Sequence, residues 1–239
     1  DKTVMQKPIE SAIEAAIKVV LVDTTIDDPS KAVSEIASDN YGGGKAAFDA
    51  VKQLQPKGGK VLVVSTSPGV SSVDARVLGF ADKANADKKF NYLGVQYSNN
   101  EPAVAQRIVT AALAKNRDIV AVFATNLFSA QGVAAGIKQA GRAGKVTVVG
   151  FDAGSDQVKA LKAGTVQALI AQQPGTIGSK GIEAAVAAIA GKAPESKKIA
   201  TGFQILHALP QEYKVDGDAN IVNPQGMYGS RLEANFHIV

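Results

Sequence analysis

The chain has 239 residues, 26 of them basic and 22 acidic, for a net charge of +4, and 46% of its residues are apolar. That is room for one large domain or two small ones around a buried core, and the slight, scattered basic excess leaves no footprint for nucleic acid. Cysteine is absent, which excludes disulfides, thiolate metal ligation and a cysteine nucleophile.

Asp1 is followed by neither a basic n-region nor an apolar h-region, so a signal peptide is expected to be absent from this chain. The span 1–16 reads as a helix that enters a first strand at Lys18–Val22. Further short, β-branched runs follow at Lys60–Val64, Asn91–Gln96, Ile119–Ala124 and Lys145–Phe151, with another at Val166–Ala171. None alternates cleanly, as expected of parallel strands buried on both faces. Between them, apolar positions recur every three or four residues at Val104, Ile108 and Ala112 and again at Ile182, Val186 and Ile189, which predicts helices over 102–115 and 180–191. Gly58–Gly59 and the glycines at 141 and 144 fall where helices close. Alternating strands and helices imply an open α/β sheet with right-handed crossovers. From Leu206 to Val239 that rhythm is lost, and the stretch is expected to be an irregular tail. The longest apolar runs are too short to span a bilayer.

In such sheets, ligands sit outside the carboxyl ends of the strands. The residues there are Asp23, the Ser65–Thr66–Ser67 triple, Asn126, Asp152 and Gln172, with Arg76 just beyond the second strand. Carboxylates accept hydrogen bonds, Arg donates through a planar fork, and carboxamides do both, so the set can hold hydroxyl groups. The alternative is structural: Asp23 or Asn126 capping a helix or turn, and Arg76 as a surface ion-pair partner. Catalytic constellations are missing. His207 and His237 lie in the tail and are expected to be solvated, and Ser67 and Ser72 are the remaining nucleophile candidates. Gly42–Gly44 does not follow a strand as a dinucleotide loop would. It predicts close packing at a helix start, with Ser38, Asp39 or Asn40 as the cap. No metal or cofactor is expected.

The segments VVLVDTT (19–25), EIASDNYGGGKAAFDAV (35–51), ARVLGF (75–80), AVFATN (121–126), VVGFDAG (148–154) and ALIAQQPGTIGSKGIEAA (168–185) together resemble the periplasmic sugar-binding proteins of the ribose-binding type, over about residues 1–205. The resemblance implies an α/β fold of two Rossmann-like lobes, with parallel sheets flanked by helices, joined by a hinge that closes on ligand, as is known for such proteins. It divides the chain into a first, partial lobe (1–38 with 172–200), a second lobe (39–171 with 201–205) and the unassigned tail (206–239). The chain would cross between lobes at Ser38–Asp39, near Ala171–Gln172 and near Thr201–Gln204. Family ligand contacts fall on Asp23, Arg76, Asn126, Asp152 and Gln172. The family's opening strands and helices, about 60 residues at about 30 per βαβ unit, have no counterpart, so the first lobe is incomplete as written. Thr24 replaces an Arg and Asn100 a stacking Phe of the ribose binders, which points to another sugar or an acyclic polyol touching these two residues.

The implied function is a non-enzymatic, periplasmic, monomeric protein that delivers a small sugar or polyol to the membrane permease subunits of an ABC importer. The alternative is the effector-binding core of a lactose-repressor-like transcription regulator. The lobe architecture is shared, but no helix-turn-helix headpiece is present. Mutating Arg76 or Asp152 to Ala is expected to abolish binding and leave the fold intact.

Overall fold

The computed structural model describes residues 1–194, 196–208, 214–215, 221–222 and 236–238. In chain order they form α1 (Gln6–Glu14), β1 (Val20–Val22), β2 (Ser34–Ser38), α2 (Asn40–Leu54), β3 (Gly59–Ser65), α3 (Ser71–Ala86), β4 (Phe90–Tyr97), α4 (Pro102–Lys115), β5 (Ile119–Ala124) and α5 (Leu127–Gln139). Then come β6 (Thr147–Phe151), α6 (Ser155–Lys162), β7 (Ala168–Gln172), α7 (Pro174–Ile189), β8 (Lys198–Thr201), β9 (Phe203–Ala208), β10 (Lys214–Val215), β11 (Ile221–Val222) and β12 (Phe236–Ile238).

Seven strands make the larger sheet, in the order β12-β9-β7-β6-β5-β3-β4. The five from β3 to β7 are parallel to one another, and β9 and β12 add an antiparallel edge. Alternate residues of its central strands point to opposite faces, and each face has its own core. Leu62, Val64, Val122, Ala124, Val148 and Leu169 pack under α4, α5 and α6. Val61, Val63, Ala121, Phe123, Val149, Phe151 and Ile170 pack under α2 and α3. There Phe80 stacks on Phe123 at 5.1 Å and meets Phe48 edge-on at 5.4 Å, the geometry that favours the ring quadrupoles.

The smaller sheet has three parallel strands, β1-β2-β8, over a cluster of only three buried apolar residues, Leu21, Ile26 and Ala32. Helix α7 lies on β1 and β2 through Ile177 and Gly181. Its other face leaves Ile182, Val186 and Ile189 between 60% and 77% exposed.

The chain passes between the sheets three times. It leaves β2 at Ser38 and enters α2 at Asn40. It leaves β7 at Gln172 for α7, and it runs from β8 to β9 across Gly202. Ser38 is in register with Thr201, and Gln172 with Phe203, so the three passages lie side by side.

Several expectations need correction. The first helix is shorter than 1–16, and the strand at 34–38 had no apolar signature because Ser34, Glu35 and Ser38 interrupt it. Helix α7 begins at Pro174, where the absent N–H costs nothing, rather than at residue 180. The stretch from 206 onward is not wholly irregular: β9 reaches Ala208, and β12 pairs with it. His207 is half-buried and stands opposite His237 in that pairing, not solvated in a loop. Strands β10 and β11 pair antiparallel with each other, and the remaining tail residues lie outside the described set. Among the described residues no helix is long and apolar enough to cross a membrane.

Candidate functional site

The carboxyl edge of the larger sheet carries a row of polar residues: Asn100 beyond β4, Asn126 beyond β5, Asp152 beyond β6 and Gln172 ending β7. Arg76, on α3, lies among them. It is 3% exposed, so it is not a surface ion-pair partner. Its Nε donates to Asn40 Oδ1 at 2.9 Å, its Nη1 to the Thr125 carbonyl at 2.8 Å and its Nη2 to Gln172 Oε1 at 3.4 Å. The guanidinium carbon stands 3.6 Å from the centre of the Phe151 ring, a cation–π contact. Burial pulls its pKa below the ordinary arginine value, to about 10, against the charges of Asp152 and Asp23, which pull upward. A buried cation fixed by neutral acceptors, with two carboxylates nearby, has the chemistry to order hydroxyl groups.

Backbone packing sets the position of Arg76. Asp39 caps α2 by accepting from the Gly42 N–H at 2.9 Å. A Cβ at Gly44 would collide with the Arg76 carbonyl, and one at Gly79 with the Tyr41 carbonyl. Gly44 and Gly79 therefore let α2 and α3 touch along their backbones, while a Cβ at Gly42 would meet the Asp39 cap and one at Gly43 the Phe151 ring, so close packing at the helix start is seen at all three of Gly42–Gly44.

Gln172 joins this centre to the passages. Its Oε1 accepts from Ser38 Oγ at 2.9 Å, and its Nε2 donates to Asp152 Oδ1 at 2.5 Å. Asp152 Oδ2 accepts from the Leu127 N–H, in the first turn of α5, at 3.1 Å. Asn126 serves as the α5 cap, taking the Ser129 N–H at 3.1 Å, while its Nδ2 donates to Asn100 Oδ1 at 2.7 Å. Here capping and site placement are held by one side chain.

Three of the seven candidates adopt left-handed backbone: Asp23 at φ 68°, Asn100 at 61° and Asp152 at 75°. Such conformations are tolerated by Asp and Asn and concentrate at functional sites. Asp23 is the centre of a γ-turn closed by Thr24 N–H to Val22 O at 2.8 Å, which is a strained arrangement. The exposed Asp23 and Thr24 line a cavity of about 230 Å³ together with Asn40, Ser71, Ser72 and Ala75.

Arg76, Asp152 and Gln172 thus form one connected cluster. Asn126 and Asn100 form a pair beside it, and Asp23 with Thr24 occupies the cavity on the side of the smaller sheet. The Ser65–Thr66–Ser67 triple is largely internal, since Thr125 Oγ1 donates to the buried Ser65 Oγ at 2.9 Å. Sequence reasoning missed Asn40, Phe151 and Ser38 as supports. The signal available was Arg76 itself: a guanidinium in an apolar helix face needs acceptors, and Asn40 was read only as a possible cap. Among the described residues no cluster of His, Asp and Glu could hold a metal ion.

The chain belongs to the family described as periplasmic binding protein domain, whose match covers residues 1–193. A second family, described as the SHS2 domain inserted in FTSA, matches residues 161–239 and so overlaps the first and takes in the tail.

Among curated relatives, the ribose import binding protein RbsB of Salmonella typhimurium is 35% identical over 197 residues, which are 82% of this chain and 66% of the relative. The protein of that name from Haemophilus influenzae is 38% identical over 165 residues, 69% of this chain and 56% of the relative. The chain therefore spans less than two thirds of the length of these relatives. Among solved structures, an ABC transporter solute-binding protein from Agrobacterium vitis bound with α-D-tagatopyranose superposes with a TM-score of 0.83 at 33% identity, covering 96% of this chain and 78% of that one. Another from the same organism, with bound D-fucose, gives 0.82 at 30% identity, covering 91% and 74%.

Proposed function

We propose that this chain is a periplasmic solute-binding protein that captures a small sugar or polyol and delivers it to the membrane subunits of an ABC importer, without chemistry of its own. The observation that carries this reading is the Arg76 clamp. It is a buried guanidinium held between Asn40, Phe151, Thr125 and Gln172, with Asp152 hydrogen-bonded to Gln172 beside it. The names of the relatives, which are import binding proteins, favour transport over the regulator reading.

In this proposal the two lobes comprise 1–38 with 172–200 and 39–171 with 201–205. Asp23 and Thr24 act from the first, and Arg76, Asn100, Asn126 and Asp152 from the second, with Gln172 at the hinge. A sugar hydroxyl donates to Asp152 or Asp23 and accepts from Arg76, so ligand draws the lobes together and the permease recognises the closed form. The protein acts as a monomer.

The test is thermal unfolding against pentoses, hexoses and polyols. A ligand at a hundred times its dissociation constant adds about 2.7 kcal/mol, which raises Tm by about 5–10 °C. A shift of that size with one or two related compounds supports the proposal. A cooperative melt that no compound moves counts against it.

A further inference from the structure

The Ser72 hydroxyl is the feature of the cavity that the site described so far does not use. Ser72 is 6% exposed and lies on α3 one turn before Arg76, so both project from the same buried face of that helix. It lines the same cavity as Asp23, Thr24 and Asn40. Its neighbour Ser71 is occupied, since Ser71 Oγ accepts the Thr25 N–H at 2.9 Å. Among the described residues nothing hydrogen-bonds the Ser72 hydroxyl. No side chain caps the first turn of α3 either, so its leading N–H groups add donors at the same wall. The one buried side-chain polar atom without a partner among the described residues is the Thr66 hydroxyl, so the Ser72 hydroxyl is open to the cavity it lines and free to bond whatever enters there.

We propose that Ser72 is a further ligand contact, which fixes one hydroxyl of the bound sugar or polyol against Asp23. The chemistry of the two walls is complementary. The Asp23 carboxylate only accepts, whereas Ser72 Oγ–H donates. A sugar hydroxyl placed between them donates its proton to Asp23 and accepts from Ser72. A deoxy carbon or an ether oxygen at that point satisfies only one wall or neither. Ser72 thus selects for a hydroxyl on the part of the ligand that faces the smaller sheet, while Arg76 and Asp152 hold the opposite part. No histidine lines the cavity; its carboxylates are Asp23, Glu35, which accepts from Thr25 Oγ1, and Asp39, which caps α2.

This inference rests on the reading of the chain as a sugar or polyol binder, and two measurements separate the failure of one from that of the other. In the first, Ser72→Ala is titrated with the best compound of the sugar panel and with its single-deoxy analogues. The expected result is a loss of about fivefold to tenfold for the parent compound, an unchanged melting temperature without ligand, and no loss for the one analogue that lacks the hydroxyl facing Ser72. Equal affinity of variant and wild type for every compound overturns the proposal.

The second needs no ligand. The chain has no cysteine, so Ser72→Cys carries a single thiol. A methanethiosulfonate bearing a sulfonate group is expected to modify it in the folded protein, because the side chain opens onto the cavity. A thiol that reacts only on unfolding overturns the proposal even if no sugar of the panel binds.

Discussion

The seven-stranded and three-stranded sheets are built from the same strand–helix grammar and reach very different degrees of burial. In the larger one, β3, β5, β6 and β7 are covered on both faces, and a phenylalanine cluster fills the side under α2 and α3. In the smaller one, the strands contribute only Leu21 and Ile36 as buried apolar side chains, with Ile26 and Ala32 from the connection between β1 and β2, and α7 turns an isoleucine–valine ridge outward. The helix propensity of α7 does not depend on what covers it, but its stability in water does. The contrast shows that an amphipathic pattern announces a face to be buried and says nothing about whether these residues bury it.

The comparison predicts unequal sensitivity to mutation. Phe123→Ala, in the fully buried stacked cluster, is expected to cost about 3–5 kcal/mol by denaturant unfolding, and a cost near zero would remove the larger sheet from its role as the principal core. Arg76→Ala reaches across the comparison, since Arg76 belongs to α3 but bonds to Asn40 and Gln172 at the passages. It should weaken sugar binding by about a hundredfold or more in calorimetry. Contrary to the expectation of an untouched fold, it should also lower stability by about 1–3 kcal/mol, because Asn40 Oδ1 and the Thr125 carbonyl lose their donor.

The same residue sets a pH limit. Burial holds its folded pKa at about 10, below the ordinary arginine value, so affinity for a neutral sugar should hold near neutrality and fall as pH rises through about 10. Above that pH the stability contribution of Arg76 moves the other way. Folding favours its neutral form, so the penalty of burying its charge is fully present below about 10 and is relieved as pH rises further towards the ordinary arginine value. Binding titrations from neutral to alkaline pH check the first sign, and an affinity that rises would contradict it.

Leu21→Ala, in the thin core of the smaller sheet, should cost about 2 kcal/mol, the low end for such a change. Ile182→Ser on the outer face of α7 should shift stability by no more than about 0.5 kcal/mol. A large loss there would mean that the ridge is covered in solution, for example by a second copy, which sedimentation would detect.

The larger sheet was legible because strands buried on both faces read as unbroken apolar runs, and each run ends at a polar residue that the fold places on the carboxyl edge. That is why Asp152, Asn126 and Gln172 could be picked from KVTVVGF, AVFAT and VQALIA alone. Strand β2 was not legible: Ser34 and Ser38 face inward on either side of Ile36, where Ser34 Oγ is bonded to the Ser196 carbonyl and Ser38 Oγ to Gln172, so two of its three buried residues are polar. Asn40 was read as a cap and not as the partner of Arg76, because that pairing depends on which helix face meets which, and α2 and α3 are brought together by a backbone contact at Gly44 that no periodicity encodes. The left-handed turns at Asp23 and Asp152 are likewise set by neighbouring backbone, for which Asp is only permissive.

The three passages also set an order of events for the folding chain. Strands β3 to β7 follow one another along a single stretch of sequence, each joined to the next by one helix, so their pairings close short loops. Strand β8 must instead find β2 after some 160 residues of chain: Lys197 Nζ reaches the Ala32 carbonyl across a separation of 165 positions, and Ser34 reaches Ser196 across 162. Contacts so distant in sequence carry the larger entropy cost and form late. The pairing of β8 with β2, and with it the alignment of Ser38 beside Gln172, is therefore expected to form late, whereas β1 and β2 pair across only 14 positions, and the cavity wall formed by Lys198, Ile199 and Ala200 is completed only when the chain has returned.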